Sequence, residues 1–176
     1  MPDVMRRLNT TGFTLVEALV TISVLGILAL LGLGQGRQEL ARLQVELAAR
    51  RLLVGVERGR DAAERMGQPC ALELSAEGWR GAGTAAAAAC QGAETALQEG
   101  LMAAALQLGH SFAGPVEFTA NGLAIDGGTA VVGASDTPLV RCLVMSPPLG
   151  VTRLGRYEGS VTARPEANLC LPDPLL

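Results

Sequence analysis

Between Ala18 and Gly36 the chain carries no charged residue. Leu, Ile and Val dominate this run, interleaved with Ala, Gly, Ser and Thr. As a helix it would be roughly 28 Å long, close to the thickness of a bilayer's hydrocarbon core. About 13 Leu, Ile, Val and Phe side chains fall between Phe13 and Gly36, and at roughly −0.3 to −0.6 kcal/mol each they favour insertion by about 4–8 kcal/mol. Glu17 opposes this by at most about 3 kcal/mol, even at the bilayer centre. Insertion is the expected outcome, and any globular domain must be built from the residues after Gly36.

The segment departs from a simple secretory signal in two ways. A secretory signal runs from a basic region to an apolar region and then to a cleavage site. Here Arg6 and Arg7 are followed by Gly12 before the apolar run begins. A cut after Gly12 would remove the leader, keep the whole apolar helix and expose an amine on Phe13. An α-amino group is cationic at neutral pH. Glu17, about one helical turn away, is the carboxylate within reach. The alternative is a plain signal anchor that happens to carry a Glu.

The stretch Gly12-Phe13-Thr14-Leu15-Val16-Glu17, followed by the uncharged helix, resembles the signal of type IV pilins and type II secretion pseudopilins. The resemblance implies cleavage between Gly12 and Phe13 by a prepilin peptidase and N-methylation of Phe13. It also implies that Glu17 pairs with the amino terminus of a neighbouring subunit during assembly. The implied partners are the peptidase and methylase, other major and minor pilins, and inner-membrane lipid.

The chain has 176 residues and a net charge of −3, enough for one globular domain beside a membrane helix. All its basic side chains are Arg. Loss of Asp3, Arg6 and Arg7 with the leader makes the rest about one unit more negative, which does not suit a general polyanion binder. Arg6 and Arg7 hold the N-terminus in the cytoplasm by the positive-inside rule, placing the remainder in the periplasm. In that oxidising space Cys70, Cys90, Cys142 and Cys170 are disulfide candidates. Three pairings are open; Cys70–Cys90 and Cys142–Cys170 are favoured, each closing a loop of roughly 20–30 residues and contributing about 3 kcal/mol. Four buried thiols are the other reading. Zinc is not expected, since no CxxC pair is present and the single His is His110.

The expected organisation is a leader over 1–12, a membrane or filament-core helix over 13–36, an amphipathic continuation over 37–66 and a β-rich head over 67–176. Leu40, Leu43, Leu47 and Val54 form the apolar stripe of the continuation. Gly67 and Pro69 end it. Cys70–Leu74 reads as a strand, and Gly81–Ala89 as a Gly/Ala-rich loop. Leu97, Leu101, Ala104 and Leu108 place a short helix over 94–108. Asn121-Gly122 joins Val116–Ala120 to Leu123–Ile125 through a tight type I′ hairpin. Further strands are expected near 129–132, 139–145 and 151–157. One long helix leading into antiparallel strands is an α+β pattern of pilin type.

The head adds a second resemblance over roughly 116–156. Phe118-Thr-Ala-Asn121-Gly122, the strand Arg141-Cys-Leu-Val-Met-Ser146 and Gly150 are similar to the GspH/FimT family of H-type minor pseudopilins and minor pilins. That resemblance implies a minor subunit near the filament tip that supports secretion or pilus biogenesis. Some members bind DNA through a Gly-Arg-x-Arg motif. Here the matching stretch, Gly150-Val151-Thr152-Arg153, lacks the first Arg, leaving Arg141, Arg153 and Arg156 as candidate DNA contacts. The bland reading is Arg on the solvated edge of a sheet. No catalytic residue and no cofactor are expected. The chain has no GxSxG and no P-loop, and Asp126 and Asp136 sit beside turn residues.

Overall fold

The structure, a computed structural model, describes residues 13–98 and 105–173; within its helix the side chains of 30–35 lie outside that description. The chain divides at Arg37/Gln38 into two compact units. The expected leader lies outside the described residues.

Helix α1 spans Leu15–Met66. In the first unit its apolar side chains face outward, from Phe13 and Leu15 to Ile27 and Leu28. The hydroxyls in this stretch are satisfied by the helix itself: Thr21 donates to the Ala18 carbonyl at 2.9 Å, and Ser23 to that of Leu19 at 2.8 Å. Such back-bonding removes the penalty of an unpartnered hydroxyl in an apolar medium. Among the described residues no helix is long and apolar enough to cross a membrane; the uncharged run includes residues 30–35, which lie outside that description.

The second unit packs the later part of α1 against two sheets. The first contains β1 (Cys70–Ser75), β2 (Gly78–Gly81), β3 (Ala88–Ala89) and β4 (Thr95–Ala96), in the order β3-β1-β2-β4. β6 (Val116–Phe118) also pairs with β1, antiparallel. The second sheet has the order β10-β9-β8-β7-β5. Its strands are β5 (Leu106–His110), β7 (Gly128–Ala134), β8 (Thr137–Ser146), β9 (Val151–Tyr157) and β10 (Cys170–Pro172). Every neighbouring pair in it is antiparallel. A helix packed on largely antiparallel sheets is the expected α+β layout.

The helix face turned to the core differs from the expected one. Leu40, Leu43 and Leu47 are each more than half exposed. The buried stripe is Ala41, Val45, Ala48, Ala49, Leu52, Val56 and Ala63, about 160° around the helix from the expected stripe at 100° per residue. Small side chains win because they let the helix lie close to the sheets. At Gly55 an added Cβ would sit 1.9 Å from Trp79 Cδ1. Trp79 fills that space and donates its indole N–H to the Leu52 carbonyl at 2.9 Å. It also meets Phe112 edge-on, with centroids 5.8 Å apart. Leu72, Phe118, Val132 and Leu143 complete the core from both sheets.

Two further expectations are corrected. The helix expected over 94–108 is not present among the described residues: Thr95–Ala96 and Leu106–His110 are strands, and residues 99–104 lie outside the description. Tertiary bonds override the Ala/Leu pattern. Arg58 reaches the Glu94 carbonyl at 3.4 Å and Arg51 the Leu97 carbonyl at 3.3 Å, drawing this segment out along α1. β5 gains a full ladder to β7. The hairpin at Asn121-Gly122 is present, since Phe118 bridges Ala124. It is not type I′, which needs positive φ at both central residues; only Gly122 has it, at 72°. Gly122 N–H donates to the Thr119 carbonyl and Thr119 N–H to that of Leu123, both at 2.8 Å. That is a turn closed by a left-handed Gly, the three-residue hairpin pattern.

Gly81–Ala89, expected as a loop, ends in β3, which pairs parallel to β1. Cys70–Cys90 and Cys142–Cys170 are disulfide-bonded. The second ties the chain's last described segment to the outer face of the β5–β10 sheet. There Val131, Cys142, Val144, Tyr157 and Cys170 form a smaller core of their own. Arginines hold several loops by their main chains. Arg60 donates to the Leu149 and Gly150 carbonyls at 3.1 and 2.6 Å, and Arg153 to those of Cys170 and Ala167 at 2.9 and 2.8 Å.

Candidate functional site

The first turn of α1 is built by Thr14 and Glu17. Thr14 precedes the helix, and its carbonyl accepts the first helical bond from Ala18 N–H at 3.0 Å. Its Oγ1 accepts the N–H of Glu17 at 3.3 Å and donates to Glu17 Oε2 at 3.4 Å. This is the Thr half of a capping box, which supplies an acceptor to an otherwise unpartnered helix N–H. The sequence signal for it is Thr-x-x-Glu before an apolar run, and it goes unused when Glu17 is treated only as a charge. The helix N-terminus also favours a carboxylate electrostatically. Phe13 and Glu17 are both exposed, so the carboxylate is free to meet a group from outside the chain. Gly12 lies outside the described residues, as do Arg6 and Arg7.

Residues 7–33 match the prokaryotic N-terminal methylation motif. The motif is a type IV pilin-like prepilin signal, and it implies processing by a prepilin peptidase and assembly with other pilins. It contains Gly12, Phe13, Thr14 and Glu17, so the capping pair lies within it. Proteins that carry this motif are structural subunits rather than enzymes. The match ends before Arg37, and it therefore speaks for the signal and not for the head. No curated protein and no solved structure matches the chain.

In the head, the three candidate arginines do not form one surface. Arg141 is buried, and its guanidinium is engaged by Glu46 Oε1 at 3.3 Å and by Asp173. Glu46 also faces Arg42 at 3.6 Å, so four alternating charges run from α1 through β8 to the end of the described chain. Arg153 spends both amino groups on main-chain carbonyls. Arg156 is exposed. Arg153 and Arg156 stand three apart on β9, so they project to opposite faces of the sheet. A phosphate backbone would meet one of these cations at a time. His110 ends β5, exposed, with its ring 5.9 Å from Phe112. Among the described residues no group of three His, Cys, Asp or Glu is placed to hold a metal ion.

Proposed function

We propose that this chain is a minor pilin or pseudopilin subunit of the GspH/FimT kind, acting in a type II secretion pseudopilus or a type IV pilus. The observation that carries this reading is the methylation motif over 7–33 set on the capped start of an outward-facing apolar helix. The precursor sits in the inner membrane with Arg6 and Arg7 in the cytoplasm and the disulfide-bonded head in the periplasm. Prepilin peptidase cuts between Gly12 and Phe13, and Phe13 is N-methylated. The freed helix then leaves lipid for the helices of other subunits, near the tip of the filament.

Glu17 supplies direction to that transfer. In an apolar bundle a carboxylate and an ammonium are each costly alone, and pairing offsets much of that cost. A neighbour's cleaved N-terminus satisfies Glu17 only when the two helices are in the correct axial register. Thr14 keeps the first turn wound around the carboxylate, so the acid is positioned before the partner arrives. Mass spectrometry of the protein from its native membrane tests the reading. The expected N-terminal peptide begins at N-methyl-Phe13. An intact leader, or a chain lacking residues 13–36, would refute it.

A further inference from the structure

β5 is an edge strand. Beyond its ladder to β7, Ser111 N–H donates to the Thr129 carbonyl at 2.9 Å. Antiparallel partners alternate between hydrogen-bonded and non-bonded pairs. Counting back along the register from Ser111, Gly109 and Gln107 aim their N–H and C=O groups at β7. Leu106, Leu108 and His110 therefore aim theirs away from it. Among the described residues no strand lies on that side.

Other edges of the two sheets are blunted. β10 has three residues and ends in Pro172, and β3 and β4 have two residues each. β5 has five residues, with no Pro, Asp, Glu or Arg. Natural sheets protect long edges with charge, Pro or a cover, because an open edge is a template for another strand. Among the described residues β5 itself carries none of those guards, and no strand covers its outward row.

A groove of about 380 Å³ runs beside the open row, between residues 108–112 and 161–165. The far wall is close, since a Cβ added at Gly109 would lie 2.5 Å from the Val161 carbonyl oxygen. Among the described residues no carboxylate lines the groove; Arg164 does, exposed, beside the hydroxyls of Ser111 and Thr162.

We propose that the β5 edge accepts an extended segment of another protein, paired to the main chain of Leu106, Leu108 and His110, with an acidic side chain of that segment on Arg164. Strand addition takes its affinity from main-chain bonds and its preference from side chains beside the edge. Two copies paired through β5 would leave Arg164 unmatched, since β5 has no acid to offer it; the partner is a different protein that carries the acid. The site stands on the sheet alone and does not depend on the N-terminal motif.

Amide exchange on the full chain in detergent micelles tests this, with the blocked pentapeptide TVDVT as the probe. In the free protein the amides of Leu106, Leu108 and His110 exchange quickly, and those of Gln107 and Gly109 slowly. At millimolar peptide the first three become protected. Arg164→Gln weakens binding about threefold to fivefold, as expected for one exposed ion pair. His110→Pro removes one outward N–H, leaves the β7 ladder intact and weakens binding about tenfold; continued slow exchange at Gln107 and Gly109 shows that this variant is folded. Three results would each overturn the proposal: outward amides already protected in the free protein, no protection by the peptide, or equal binding of TVKVT.

Discussion

The Arg141 guanidinium lies 3.3 Å from Glu46 Oε1 and joins the middle of the β5–β10 sheet to the helix. The same guanidinium holds Asp173 near the end of the described chain. Arg141 is 4% exposed, so its loss leaves two carboxylates facing each other in a shielded place. Arg141→Met is expected to destabilise the head by about 3 kcal/mol. Combining it with Glu46→Gln should recover part of that loss. Urea unfolding followed through Trp79, the single tryptophan, measures both. A change below about 0.5 kcal/mol for Arg141→Met would mean that the cluster behaves like an ordinary surface pair.

Gly55→Ala sets two effects against each other. Alanine favours the helix by about 1 kcal/mol over glycine. The added methyl would lie 1.9 Å from Trp79 Cδ1, and overpacking of that kind costs about 1–3 kcal/mol. Because Trp79 is also held by its bond to the Leu52 carbonyl, it has little room to yield. Net destabilisation of about 1–2 kcal/mol is expected, with a shift in tryptophan emission. A stabilised variant would show that the indole moves away freely.

At the N-terminal motif, cleavage and assembly should separate. Glu17→Ala is expected to be processed and inserted normally and to enter filaments poorly, read by shear fractionation and immunoblot. Gly12→Leu should leave the precursor uncut, read as unchanged mobility on a gel. Normal incorporation of Glu17→Ala would remove the pairing role from the acid.

Cys142–Cys170 and Cys70–Cys90 enclose chain separations of 28 and 20 residues. Loop entropy grows only with the logarithm of length, so each should contribute about 3 kcal/mol. Their local effects differ. The double variant Cys142→Ser, Cys170→Ser removes the covalent tie of the segment over the outer face, leaving Arg153, the Tyr157 hydroxyl, the β9–β10 ladder and the Arg141–Asp173 pair to hold it. Endoproteinase Glu-C is expected to cut this variant after the exposed Glu166 well before the wild type. Equal cleavage rates would show that the covalent tie is redundant there.

How far the sequence is readable depends on how local each signal is. Gly67 and Pro69 end a helix through their own backbone preferences, and α1 stops at Met66. Gly150, at φ 61°, separates β8 from β9 for the same kind of reason. Thr14 and Glu17 contact each other within one turn. The failures are the features decided at a distance. Leu40, Leu43 and Leu47 are the larger apolar residues, but Trp79 and the sheets select the Ala/Gly face. The Leu and Ala spacing over 94–108 favours a helix locally, yet Arg51, Arg58 and β7 hold Thr95–Ala96 and Leu106–His110 as strand. Arg141 reads as a surface cation because its two carboxylate partners lie 95 and 32 residues away.

Arg51, Arg58, Arg60 and Arg153 each fasten a loop through peptide oxygens, Arg58 adding the Thr95 hydroxyl. A peptide oxygen is the same whatever residue carries it. The exposed Glu94, Ala96, Leu149 and Ala167 are thus open to replacement without losing these bonds, whereas Leu97, Gly150 and Cys170 are fixed by burial, by a positive φ and by a disulfide. Over generations, or at a designer's bench, the exterior of this head could be rewritten while its moorings stay put.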